Sequence, residues 1–205
     1  MSLDDLSRMV REHSGTFLCH RIHDEEITKC VHFEHVVGPV AEEVDVPELG
    51  RLREFYATFG SILFYHDEKS GDAGRYLAHP SEWPGLEGEL SGWLDMLDED
   101  ERDDCLPGGV DACLVIGETP QSGNYILVQS AGDAAGQVFE FDHDGLEFTH
   151  CANDIVEYVH KLLRPDGRLL TDIASHMRFV EGDSTDQWWI REMKDNAGLV
   201  VETSE

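Results

Sequence analysis

The sequence predicts an α+β fold, a single domain with an antiparallel-rich central sheet flanked by helices. Three observations carry this. Strand-like runs follow one another through short, turn-rich connections, whereas a parallel crossover needs a dozen or more residues. Between them lie stretches with apolar residues at helical spacing. The chain has 205 residues, enough for one full core, and two independent domains would each be small.

The elements read in order as follows. Leu3, Leu6, Val10 and His13 share one face of an opening helix that Gly15 ends. Strands over 16–23 and 29–37 follow, with Asp24-Glu25-Glu26 as the hairpin loop. Pro47 opens a second helix carrying Leu49, Leu52, Tyr56 and Phe59, and Gly60 stops it. Short strands at 62–65 and 75–78 flank a Gly-rich loop. Leu86, Leu90, Trp93, Leu94 and Leu97 mark a third helix. Strands at 112–116, 125–130 and 137–142 come next. Asn153 is placed to cap a helix that buries Ile155, Val159, Leu162 and Leu163. Leu169, Leu170, Ile173 and Met177 indicate one more helix, and Trp188-Trp189-Ile190 a final packed segment.

Charge narrows the function. There are 43 acidic residues against 15 Lys and Arg, a formal net charge of −28. Phosphate backbones are bound by clustered cations, so nucleic acid is excluded as a direct partner, and anionic membrane is disfavoured. The field favours a basic protein partner, whose approach it would speed. The plainer reading is solubility, or adaptation to a salt-rich cytoplasm. The five cysteines are odd in number and lack a CxxC pair, which fits free thiols in a reducing compartment. The start lacks the pattern of a signal peptide and no run is long enough to span a membrane, so the expected location is cytoplasmic.

From about Val46 to Arg164 the order of features resembles the SUKH superfamily, the Smi/Knr-type domains. The resemblance begins with Pro47-Glu48-Leu49, Phe55-Tyr56 and Phe59-Gly60. It continues through Ile116-Gly117 and Ser122-Gly123-Asn124-Tyr125-Ile126-Leu127. Its sharpest piece is Gly136-Gln137-Val138-Phe139-Glu140-Phe141-Asp142-His143-Asp144. Asn124 stands where the family more often has Asp. The resemblance divides the chain into an N-terminal helix and hairpin extension (1–45), a SUKH-like core (46–165) and a C-terminal extension packed on that core (166–205). It implies a protein-binding module. Many bacterial members are similar to immunity proteins that neutralise a toxin, and others to regulators, so the fold does not choose between these roles.

Several constellations carry residue types suited to chemistry or binding. Asp95, Asp98, Glu99, Asp100, Glu101, Asp103 and Asp104 form a run broken by Arg102. It reads as a docking surface for a basic toxin or as a solvated loop. Trp83, between Glu82 and Pro84, is expected to reach the surface and anchor a partner, as is one of Trp188 and Trp189, while Trp93 belongs to the core stripe. Cys19, His20, His23, Cys30, His32 and His35 have zinc-ligand chemistry without a finger spacing, and strand alternation splits them, so no metal is expected. Asp142-His143-Asp144-Gly145 has acid–base residue types, but a turn joining two strands explains it. A hydrolase using that turn ranks below the binding readings. Cys105 beside Asp104 sits in a negative field that opposes thiolate formation. No nucleophile elbow or phosphate loop is present, and neither catalysis nor a cofactor is expected. The sequence reading is thus a non-catalytic, immunity-type module for a basic toxin, or a regulatory or scaffold protein of the same fold.

Overall fold

The computed structural model describes residues 1–40, 45–98, 106, 109 and 112–204. Its strands are β1 (Ser14–Arg21), β2 (Asp24–Val37), β3 (Ile62–His66), β4 (Arg75–Leu77), β5 (Cys113–Thr119), β6 (Asn124–Gln129), β7 (Val138–Asp142), β8 (Glu147–Ala152), β9 (Trp188–Asp195) and β10 (Val200–Glu202). They form one sheet in the order β10-β9-β1-β2-β3-β4-β5-β6-β7-β8. Every neighbouring pair is antiparallel. The helices are α1 (Leu3–Glu12), α2 (Leu52–Tyr56), α3 (Trp83–Leu94), α4 (Ile155–Leu162) and α5 (Gly167–His176). The fold is therefore the α+β domain expected from the short connections. Among the described residues, no helix is long and apolar enough to cross a membrane.

The segments read as extensions supply four strands of this one sheet. β1 pairs with β2 on one side and β9 on the other, so both ends of the chain continue the central sheet. Gly15 lies inside β1, where a Cβ would come within 2.3 Å of the Lys194 carbonyl oxygen. It is kept small by β9 and does not end the helix, which closes at Glu12. The first hairpin also turns earlier than its acidic triplet suggests. Ile22 and His23 make the turn, and Asp24, Glu25 and Glu26 already lie in β2.

Alternation along β2 buries Val31, Phe33 and His35 and exposes Cys30, His32 and Glu34. Phe17, Phe33, Tyr65 and Phe179 meet on the covered face, each below 2% exposure. Burying each ring is worth about 1.5–3 kcal/mol relative to exposure. The helix expected from Pro47 shrinks to α2, because Gly50 at φ 51° interrupts it. Leu52, Tyr56 and Phe59 still face the core as the spacing implied. Asp154, one residue beyond Asn153, caps α4 by accepting the Glu157 N–H at 2.8 Å. Asn153 instead binds the Glu157 carboxylate. The strand implied after the Asp142–Gly145 turn is β8, and its range was hidden because Glu147, Thr149 and His150 give this edge strand an exposed, polar pattern.

Candidate partner-binding face

α3 starts with Pro84 in its first turn and buries Trp83, Leu86, Leu90 and Leu94. That stripe packs against the central sheet at β5. Its other face carries Gly85, Gly88 and Gly92 at helical spacing. A Cβ added at any of the three would meet nothing within 4 Å. Among the described residues, no contact therefore requires glycine, although each costs about 0.8–1 kcal/mol of helix stability relative to alanine.

Carboxylates line the side of this stripe. Tyr76, Glu118 and Tyr125 lie opposite one another across β4, β5 and β6. The Tyr76 hydroxyl donates to Glu82 at 2.7 Å, and the Tyr125 hydroxyl donates to Glu89 at 3.2 Å. Glu82 also accepts the His79 N–H at 3.0 Å. The two tyrosines thus gather Glu82 and Glu89 beside the half-buried Glu118. Burial, then Glu89, then Glu82 raise the Glu118 carboxyl above its usual range. The sequence has no Lys or Arg between Arg75 and Arg102 to relieve this crowding.

The acidic run follows directly from the end of α3. Asp95 and Asp98 are exposed there. Glu99, Asp100, Glu101, Asp103, Asp104 and Cys105 lie outside the described residues.

Trp83 does not reach the surface. It is 5% exposed, its indole N–H donates to the Ala78 carbonyl at 3.2 Å, and its ring meets Tyr56 edge-on. The reason is helical phase, since as the first residue of α3 it shares a face with Leu86 and Leu90. Trp93, assigned to the core, is only half-buried and lies 4.8 Å from the His143 ring. Trp188 is buried between Arg21 and Lys29, and Trp189 is the half-exposed member of that pair.

The remaining constellations separate by geometry. Cys19 is buried opposite Lys29, while His20 and His32 face Thr28 and Thr16 in the hairpin register. His35 lies on the covered side, so the six residues do not converge. Burial pushes the thiols of Cys19, Cys113 and Cys151 up to about 12, which keeps them protonated and poor nucleophiles. Asp142 ends β7, and His143 and Asp144 open the turn into β8. Their ligand atoms lie within 4.8 Å of one another, the one such trio with metal-binding residue types among the described residues. Both His143 ring nitrogens already have neighbours, Asn124 at 2.7 Å and Asp144 at 3.1 Å.

Sequence reasoning missed a cleft of about 570 Å³ between β7, β8, α4 and α5. Arg75 forms its floor at 1% exposure. Its guanidinium donates to Glu140 at 3.2 and 3.3 Å, to Asp172, and to the Gly74 carbonyl at 2.8 Å. The Tyr158 hydroxyl also donates to Glu140. This cation is held by the protein's own carboxylates. Comparison with protein-family models, curated proteins and solved structures finds no match.

Proposed function

We propose that the chain is a non-catalytic, cytoplasmic protein-binding module that receives a basic protein on the outer face of α3. In the terms of the SUKH resemblance, that partner is a cationic toxin and the chain is its immunity-type protein. One observation carries the reading. α3 presents a glycine stripe, which no contact among the described residues needs, beside three crowded carboxylates. Glycine admits the close approach of another backbone, and cationic side chains would relieve the repulsion among Glu82, Glu89 and Glu118. The net charge of −28 extends the same preference to longer range.

The test uses two baits in an extract of the source cells, the unaltered chain and Glu82→Gln/Glu89→Gln/Glu118→Gln. The expected result is a cationic protein captured by the first bait and lost from the second. Equal capture of that protein on both would remove α3 as the site. Failure of the first bait to retain any specific protein would remove the binding-module reading itself.

A further inference from the structure

Three buried polar side chains meet where the two ends of the fold come together. His13 follows α1, His35 sits on the covered face of β2, and Asp195 ends β9, at 9%, 8% and 7% exposure. His35 Nδ1 accepts the Tyr65 backbone N–H at 3.0 Å. A neutral ring with Nδ1 as acceptor carries its proton on Nε2. That Nε2–H is aimed at His13 Nδ1, 2.7 Å away. His13 then carries its own proton on Nε2, 3.2 Å from Asp195 Oδ2. The result is one directed chain from the backbone of β3 to Asp195, with each donor facing an acceptor. The second oxygen of Asp195 accepts the N–H groups of Ala197 and Leu199 at 2.9 and 2.7 Å. Asp195 therefore also shapes the turn into β10.

This direction exists only while both rings are neutral. A proton added to His35 places an N–H on Nδ1 against the Tyr65 N–H. A proton added to His13 places an N–H on Nδ1 against that of His35. Turning the His35 proton around returns the conflict to Tyr65, and a buried donor without an acceptor costs about 1–3 kcal/mol. Burial lowers the His13 pKa against the pull of Asp195, and burial followed by His13 pushes His35 down to about 3. A cavity of about 270 Å³ borders His13 and Asp195, giving the seam space in which to part. Glu12 from α1 and Arg164 after α4 face the same cavity. Tyr65 packs against both rings. Glu34 and His66 flank the chain on β2 and β3, and Lys194 precedes Asp195 on β9.

We propose that His13, His35 and Asp195 form a proton-operated latch, which joins α1, β2 and the β9–β10 hairpin while both rings are neutral and lets the hairpin go when they take up protons. Its contribution is complete above the ordinary imidazole value of 6.5 and is lost as pH falls from there towards 3. The test is amide hydrogen exchange at Tyr65, Ala197 and Leu199, corrected for the intrinsic pH effect and referred to central β6 amides. The comparison is His13→Gln/His35→Gln, whose amides can accept and donate in the same direction without titrating. Protection in the unaltered chain should fall between pH 6 and 5, by about tenfold through His35 and further through His13. In the double variant it should stay level. A parallel loss in both proteins, or none in the unaltered chain, would overturn the latch. Imidazole NMR of the unaltered chain tests it without any variant, because the latch requires both rings neutral with protons on Nε2 at pH 7. A charged ring there would also overturn it.

Discussion

At the scale of single residues, Arg75 is the side chain whose removal should be felt most. It is buried, against the partly exposed carboxylates of Glu140 and Asp172, and taking it away leaves Glu140 with charge that is only partly compensated by solvent. Arg75→Met should cost about 2–3 kcal/mol in urea unfolding, below the penalty at a fully buried pair. Adding Glu140→Gln should recover much of it, because Gln still accepts the Tyr158 hydroxyl and no longer needs a cation. A single variant within 1 kcal/mol of the parent would show that the pair is unimportant for stability. None of this was legible in the sequence, since the partners lie 65 and 97 residues away. Trp83 teaches a narrower lesson. Its neighbours Glu82 and Pro84 suggested the surface, but the phase of α3 sets its direction. Leu6, Val10, Leu52 and Val159 are legible because helical spacing alone places them on the covered side.

At the scale of elements, short connections revealed the antiparallel sheet, and amphipathic spacing revealed α1, α3, α4 and α5. What stayed hidden was long-range pairing. β1 and β9 come from opposite ends of the chain, and no local pattern tells one half-buried strand which other it will join. β1, β2, β9 and β10 were therefore placed in extensions, whereas all four are strands of the central sheet. The α3 acidic face was half legible: its carboxylates are consecutive with the helix, but the Tyr76–Glu118–Tyr125 row appears only when β4, β5 and β6 assemble. The glycines of α3 offer a test in which stability and binding move apart. Gly85→Ala/Gly88→Ala/Gly92→Ala should raise stability, by about 2.4–3 kcal/mol, through helix propensity. The same variant should bind the cationic partner more weakly, because three methyl groups would occupy the face that its backbone approaches. Urea unfolding and binding kinetics measure the two effects. Unchanged affinity with the expected gain in stability would mean that nothing docks closely on this stripe.

For the whole molecule, charge sets two opposing dependences on salt. A net charge of −28 repels itself in the compact state, so screening should stabilise the fold. The same field should steer a cationic partner, so screening should slow association. The Debye length falls from about 10 Å at 0.1 M to about 3 Å at 1 M, and both effects should be largely spent by the upper concentration. Across that range the urea midpoint should rise, while the association rate with the partner should fall by about tenfold or more. Dissociation should change less, since it depends on buried contacts. Glu82→Gln/Glu89→Gln/Glu118→Gln should reduce the salt slope of association and leave that of stability nearly unchanged, because three charges are a small part of the total. Adaptation to salt makes a different demand. If that is the origin of the acidity, stability should keep climbing well above 1 M, and the salt slope of association should be indifferent to which carboxylates are removed. Urea midpoints and stopped-flow association rates, measured over the same salt series, separate a field shaped for a partner from one shaped for the solvent.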